Sequence, residues 1–170
     1  MATTSNTDIS EKVLVIGIGN EFRNDDGVGV YVARRLRKLN LPHIKAVEHS
    51  GEGAQLAEMW KAKRNVIIID ATASGAEPGT IFRFDATKQP VPTKFFHYST
   101  HDFSVAESIE VSRALSTLPA RLVVYGIEGT NYSQGNILSP LAKKTAEYVL
   151  DLVIEEVARS AVQKVHARQE

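Results

Sequence analysis

The sequence predicts an α/β protein of three layers (αβα), in which a mostly parallel, twisted central sheet carries helices on both faces. Three short runs, residues 13–18, 66–69 and 122–124, are continuously apolar and rich in β-branched residues. Such runs are typical of strands buried on both faces of a parallel sheet. The stretches between them place apolar residues at helical spacing, and this alternation favours a parallel sheet with right-handed crossovers.

Length and composition predict one folded domain. The chain has 170 residues, 43% of them hydrophobic and 24% charged, which is ordinary for a globular protein and excludes disorder of the main body. We expect a flexible leader over residues 1–10, a single α/β domain over residues 11–163 and a frayed tail over residues 164–170.

Charge and cysteine content exclude several functions. Lys and Arg together number 20, as do Asp and Glu, so the net charge is zero. A basic nucleic-acid-binding surface and attraction to an anionic membrane are therefore not expected. The chain has no cysteine, which removes disulfides, thiolate nucleophiles and zinc–thiolate sites. We find no signal sequence and no membrane-spanning run, so a cytoplasmic location is predicted.

The first half of the chain reads as strand, helix, strand, helix, strand. The first strand ends at Gly17 and Gly19, and a helix over residues 26–39 follows, with one apolar face formed by Val28, Val32, Leu36 and Leu39. Next come a short strand over residues 44–48, a helix over residues 54–62 and the strand over residues 66–69, which Asp70 closes.

The second half adds an edge strand and two helices. After a loop over residues 71–79 we predict an edge strand at residues 80–84 and a helix at residues 103–118, ended by Pro119. The predicted apolar stripe of that helix is Val111, Ala114, Leu115 and Leu118.

The last predicted strand covers residues 122–127. A glycine-containing loop leads from it to Ser139 and Pro140, which suit the N-cap and first position of the final helix. The face of that helix expected to dock on the sheet contains Ala142, Ala146, Val149, Val153, Val157 and Ala161.

Ligands of such folds bind beyond the carboxyl ends of the strands, so those ends are the first candidates for chemistry. The stretch after the first strand, residues 17–29, superficially resembles a dinucleotide-binding fingerprint. Phe22 stands where the third glycine is required, and Asp25 and Asp26 would repel a pyrophosphate. A glycine-rich turn with an acidic helix cap explains one of these aspartates, but not the pair together with Asn20, Glu21 and Asn24.

Two further polar residues follow strands or precede helices. Asp70 closes an apolar strand, where an aspartate often serves only as a turn residue. His101 precedes a helix and has His97 and His49 as competitors for any role. Two carboxylates and one imidazole would suit zinc, nickel, iron or copper and would leave a coordination position open.

Several blocks in order resemble a known family. Gly17-Ile-Gly-Asn20 followed by Asp25-Asp26-Gly27-Val-Gly29 resembles the opening motif of hydrogenase maturation endopeptidases, which process the large subunit of nickel–iron hydrogenases. The resemblance extends over residues 12–158, with further matches at residues 66–71, 78–79, 99–101, 125–127 and 138–140.

The resemblance implies a site and an activity. Its metal-binding positions correspond to Asp26, Asp70 and His101. We take Asp26 and Asp70 also as the candidate catalytic residues, since either carboxylate could act as a general base. Glu52, in Ser50-Gly51-Glu52-Gly53, departs from the family's small hydroxyl residue. The implied activity is an endopeptidase (a hydrolase) that removes the C-terminal extension of the precursor after nickel insertion, with nickel supplied by that precursor and no organic cofactor.

Some alternatives stay open at this level. A non-catalytic nickel-binding chaperone and a metal-dependent hydrolase of small molecules share the same fold class. No Ser-His-Asp set is evident, so cleavage could use metal-assisted activation or a carboxylate base. The like charges of Asp25 and Asp26 could raise the pKa of one of the two if they approach closely. The expected partner is the hydrogenase precursor, not nucleic acid or membrane. The oligomeric state is open, with a monomer as the working expectation.

Overall fold

The computed structural model describes residues 12–96 and 104–166. Its strands are β1 (Val13–Ile18), β2 (Ile44–His49), β3 (Asn65–Thr72), β4 (Ile81–Asp85) and β5 (Arg121–Glu128). Its α-helices are α1 (Val28–Leu39), α2 (Gly53–Trp60), α3 (Val105–Ala114) and α4 (Pro140–His166), and short 3₁₀ helices form at Asn24–Gly27 and Thr93–Phe95.

The strands form one sheet in the order β2-β1-β3-β5-β4. The pairs β1–β2, β1–β3 and β3–β5 are parallel, whereas β4 runs antiparallel to β5 at the edge. The predicted mostly parallel sheet and the predicted edge strand are both confirmed.

Helices cover the two faces of the sheet, which confirms the three-layer prediction. On one face α1 and α4 pack together, and on the other α2 packs on α3. The core of the first face includes Val15, Val32, Ile69, Tyr125, Val149 and Val153. The core of the second includes Ile16, Leu56, Trp60, Ile68, Ile109 and Val124.

Two glycines allow α1 to lie unusually close to β1 and β3. A Cβ atom at Gly29 would come within 2.3 Å of the backbone oxygens of Ile18 and Ile69, and one at Gly17 within 2.1 Å of the Gly29 carbonyl oxygen. No side chain fits at either position. The contact sets the depth at which the start of α1, and the turn before it, lie against the sheet.

Three strands, β2, β3 and β5, are longer than predicted. β3 continues through Ala71 to Thr72, because these residues keep parallel ladder pairs with Ile127 and Glu128 of β5. Asp70 therefore lies inside β3, paired with Gly126, and the prediction that it follows the strand was wrong.

The helices at residues 26–39 and 103–118 also differ from prediction. Asp25 and Asp26 form a 3₁₀ turn, and α1 starts only at Val28. α3 ends at Ala114, five residues before Pro119, and its predicted apolar stripe was wrong. Val111 and Leu115 are exposed, whereas the buried positions are Val105, Ala106, Ser108, Ile109 and Ser112.

The final helix begins as predicted. Ser139 Oγ accepts a hydrogen bond from the Ala142 amide (3.2 Å), and the helix starts at Pro140. α4 continues to His166, beyond the predicted end of the domain at residue 163. The predicted leader lies outside the described residues. None of the helices within residues 12–96 and 104–166 carries a stretch apolar enough to span a bilayer.

Candidate active site

A small cavity of about 30 Å³ lies at the carboxyl-terminal edge of the sheet. This volume holds one or two water molecules or a single ion. Its wall consists of Ile18, Gly19, Asp26, Ser50, Gly51, Asp70, Ala71, Phe96 and Val105. The carboxyl ends of β1 and β3 therefore bring Asp26 and Asp70 to one cavity, as the strand-end rule predicts.

Asp26 is held by the turn that follows β1. Its Oδ2 accepts a hydrogen bond from the Asn20 amide (3.0 Å), and its own amide donates to the Arg23 carbonyl (3.1 Å). Gly19 is required here, because it has a φ of +152° and a Cβ would lie 1.9 Å from the Asp26 carbonyl oxygen. Burial raises the pKa of Asp26 above its ordinary value, although the Asn20 bond opposes the rise.

Asp70 lies deeper, in the central strand β3. Only 8% of it is exposed, and Oδ1 accepts a bond from the adjacent Ala71 amide (2.8 Å). Burial raises the pKa of Asp70 well above its ordinary value, and the negative charge of Asp26 raises it further.

The two carboxylates share a cavity whose described lining contains no lysine or arginine. Each therefore favours a proton or a cation nearby, since either relieves the cost of burying like charges. Oxygen donors of this kind fit a divalent metal ion.

The third predicted ligand is not tested by the structure. His101, like its competitor His97, lies outside the described residues. Within the ranges that the structure describes, no three His, Asp or Glu side chains are grouped closely enough to hold a metal. His49 ends β2, and its Nδ1 accepts a hydrogen bond from the Gly51 amide (2.9 Å).

Asp25 has a separate role that the sequence did not reveal. It is fully buried, and its carboxylate points away along the loop that follows β5. It accepts hydrogen bonds from the amides of Thr130 (2.8 Å), Asn131 (3.2 Å) and Ser139 (2.7 Å) and from Ser139 Oγ (2.8 Å). Burial, not Asp25, is the leading cause of the raised pKa at Asp26. Because Asp25 and Asp26 are adjacent in the sequence, repulsion between their charges was expected, but the turn directs the two carboxylates to different hydrogen-bond donors.

Asn24 completes the link between these two loops. It adopts the left-handed conformation (φ 47°), its Nδ2 donates to the Ser133 carbonyl (3.0 Å), and its Oδ1 accepts from the Ile137 amide (3.2 Å). The backbones also pair, with Asn24 N donating to Gly135 O (2.8 Å) and Gly135 N to Phe22 O (2.9 Å). Residues 20–26 and 129–139 are thus one hydrogen-bonded assembly, which we call the two-loop unit.

A buried glutamate stabilises the chain just beyond Asp70. Glu128 accepts hydrogen bonds from Thr72 Oγ1 (2.6 Å), from the amide and hydroxyl of Ser74 (3.1 and 2.9 Å) and from the Gly75 amide (3.1 Å). Tyr132 donates to the Thr72 carbonyl as well. This arrangement was not predicted, because two of the four donors to Glu128 are backbone amides and the two hydroxyls come from a different part of the chain.

Glu52, the departure from the family pattern, has a structural explanation. Its carboxylate accepts hydrogen bonds from the amides of Ala54 (3.3 Å) and Gln55 (3.4 Å), so it caps α2. A small hydroxyl residue can cap a helix in the same way.

Together, the fold and site define a three-layer α/β protein with one partly buried carboxylate, Asp26, and one buried carboxylate, Asp70, at the carboxyl ends of β1 and β3. The family model for hydrogenase maturation proteases (HycI) matches residues 30–156. The chain belongs to this family, whose members are peptidases.

Individual relatives agree with this assignment. A putative hydrogenase maturation protease of Methanocaldococcus jannaschii is 26% identical over 153 residues, covering 86% of this chain and 97% of its own. The solved hydrogenase maturating endopeptidase HybD of Escherichia coli superposes with a TM-score of 0.74 at 21% identity, covering 88% and 93% of the two chains, and shows the fold. The [NiFe] hydrogenase maturation protease HycI of Thermococcus kodakarensis gives a TM-score of 0.68 at 25% identity, covering 89% and 95%.

Proposed function

We propose that this protease removes the C-terminal extension of a nickel–iron hydrogenase large-subunit precursor after nickel insertion, and that the nickel of the precursor is the feature it recognises. The observation that carries the proposal is the pair Asp26 and Asp70 at one small cavity, whose lining among the described residues contains no lysine or arginine. The partner is the precursor itself. Cytoplasmic action and a monomeric state remain predictions from the sequence.

The metal-binding groups of this chain support the proposal that nickel arrives with the substrate. The chain has no cysteine, so it offers carboxylate oxygens and no thiolate. Nickel already held by soft ligands of the precursor would take its hard and borderline ligands from the protease. Two carboxylates alone form a weak site, which would make cleavage depend on metallation of the substrate.

His101 is proposed as the third ligand. The described residues on either side of its segment, Phe96 and Val105, both line the cavity. The described chain therefore lies at the cavity wall on both sides of the segment that contains His101.

Cleavage itself requires activation of a water molecule or of the scissile carbonyl. A carboxylate whose pKa is raised toward neutrality is a stronger base than an ordinary aspartate, and both Asp26 and Asp70 have raised pKa values. Nickel bound beside them would polarise the carbonyl oxygen when present.

The test uses nickel-loaded precursor, nickel-free precursor and mass spectrometry of the product. We expect Asp26→Asn, Asp70→Asn and His101→Ala each to lower the rate of chain shortening by about 100-fold or more. Asp151→Asn, which changes an exposed aspartate of α4, serves as the control and should cleave normally.

Four outcomes would contradict the proposal. Full processing by all three variants would remove the site assignment. Equal cleavage of nickel-free precursor would remove nickel recognition. Binding of the precursor without shortening would indicate a chaperone, and tight metal binding without any precursor would favour a small-molecule hydrolase.

A further inference from the structure

Two large apolar side chains are exposed on the two-loop unit, one residue of which, Asp26, lines the cavity. Phe22 is 68% exposed and Ile137 is 74% exposed. Exposed apolar residues of this size that lie next to a functional site often mark a contact surface. Neither residue contributes to the core of the described domain.

The backbone around these side chains is fixed unusually firmly. Gly135 donates to the Phe22 carbonyl and Asn24 accepts from the Ile137 amide, so both residues are bonded to the same assembly. The buried carboxylate of Asp25 and the left-handed Asn24 hold that assembly in place. A left-handed, non-glycine residue costs free energy and persists only where its surroundings impose it.

The same turn links Phe22 to the candidate catalytic carboxylate. The Phe22 amide donates to Asn20 Oδ1 (2.9 Å), and the Asn20 amide donates to Asp26 Oδ2 (3.0 Å). The Phe22 backbone is therefore two hydrogen bonds away from the Asp26 carboxylate, and we call the exposed surface formed by Phe22 and Ile137 the rim.

We propose that Phe22 and Ile137 form the contact surface for an apolar segment of the precursor next to the scissile bond, and so help to determine substrate specificity. This inference rests on the proposed function. Residues 129–142 contain no charged side chain, so this side of the rim offers apolar and neutral polar contacts and no ion pair to a substrate.

Leu115 provides a matched control. It is 67% exposed, almost the same as Phe22, but it follows α3 and precedes β5 at the opposite edge of the sheet. A general effect of removing exposed apolar surface would therefore occur at all three positions, whereas substrate contact concerns only the two on the rim.

The experiment measures kcat and KM of full-length Phe22→Ser, Ile137→Ser and Leu115→Ser on nickel-loaded precursor. We expect KM to rise about tenfold for each rim variant, because binding of an apolar side chain by the substrate is lost. We expect kcat to stay within twofold, Phe22→Leu to restore most of the affinity and Leu115→Ser to match the wild type.

The outcomes separate this inference from the proposed function. If the wild-type protein cleaves the precursor and the rim variants keep its KM, the inference fails alone; if the wild-type protein does not cleave, the proposed function fails. An equal KM rise in Leu115→Ser, or loss of a wild-type dimer in Phe22→Ser by sedimentation, would also overturn the substrate assignment.

Discussion

Asp70, which we propose as a catalytic residue, has a buried carboxylate that opposes stability. Its carboxylate is almost fully buried in the central strand, and its bond to the Ala71 amide does not offset the loss of solvent. Active-site groups of this kind are commonly retained at a cost in folding free energy.

The raised pKa of Asp70 predicts a pH-dependent effect of its removal. The native carboxyl binds a proton more readily than the unfolded one, whose pKa is about 3.9, so the free energy of unfolding falls as pH rises through the window above that value. Asp70→Asn removes this penalty and should raise Tm at pH 7–8, by about 2–4 °C for each kcal/mol. Calorimetry in the presence of a chelator measures it.

The increase in Tm caused by Asp70→Asn should become smaller as the pH is lowered to about 4 and below, where Asp70 is protonated in both the native and the unfolded state. Asp151→Asn should leave Tm unchanged over the same range, since Asp151 is exposed. A lower Tm for Asp70→Asn at every pH would show that the carboxylate stabilises the fold.

At the level of single elements, the contact of α1 with the sheet depends on the absence of a side chain. The start of α1 lies so close to β1 and β3 that Gly29 faces backbone oxygens from both strands. Asp26 precedes this contact by three residues, and the position of its turn therefore depends on how closely the helix approaches.

We predict that Gly29→Ala destabilises the protein despite the better helix propensity of alanine. The new Cβ would lie 2.3 Å from the carbonyl oxygens of Ile18 and Ile69, and backbone atoms cannot yield as a flexible side chain does. We expect a net loss of at least ~2 kcal/mol, which urea unfolding measures.

Gly75→Ala is the appropriate comparison. Gly75 has a φ of +86° but no atom within 4 Å of a built Cβ, so its substitution adds only backbone strain of about 1 kcal/mol. Equal losses for Gly29→Ala and Gly75→Ala would show that the close packing of α1 is unimportant.

The elements also show where reading a sequence succeeds. The apolar strand runs were found because burial on both faces leaves a continuous pattern, and α4 because Ser139 and Pro140 mark its start. The buried face of α3 was predicted wrongly for a physical reason. That face includes Ser112, whose hydroxyl accepts a hydrogen bond from the buried indole of Trp60 (3.1 Å). Apolar periodicity overlooks a small polar residue that is satisfied inside a core.

At the scale of the whole molecule, an ion pair joins the edge strand β4 to the helix α4 on one face of the sheet. Arg83 of β4 donates to the buried Glu156 of α4 (3.2 and 2.6 Å), which also accepts from Arg121 and from the hydroxyl of Tyr125. Burial alone would raise the pKa of Glu156, but Arg83 and Tyr125 lower it overall.

Glu156→Gln should therefore destabilise the protein at neutral pH. We expect a loss of about 1–3 kcal/mol, because the substitution leaves two arginines without their carboxylate. The lowered pKa means that the stabilisation is present above the unfolded pKa and lost as pH falls through the folded one, so the difference should shrink below about pH 4.

Urea unfolding of Glu155→Gln supplies the reference. Glu155 is exposed and its pair with Arg159 is long (3.8 Å), so we expect a change below about 1 kcal/mol. Similar losses for the two glutamates would argue against a special role for Glu156.

The candidate site was partly predictable at this scale. Because parallel strands end at the same edge of a sheet, the sequence predicted that Asp26 and Asp70 lie close together. The bonds of Asp25, Asn24 and Glu128 were not predictable, because their partners are largely backbone groups whose positions depend on the completed fold. His101 stays a prediction, since it lies outside the described residues.

The two-loop unit has a consequence for how such a protein can evolve. Asp25 and Asn24 hydrogen-bond to residues 130–139 chiefly through main-chain atoms. The side chains of Gln134, Asn136 and Ile137 are therefore not needed to maintain the conformation of this loop. Their identities are therefore open to drift. On the proposed function, substitutions at these positions would change which precursor the protein accepts and would leave Asp26 and Asp70 as they are.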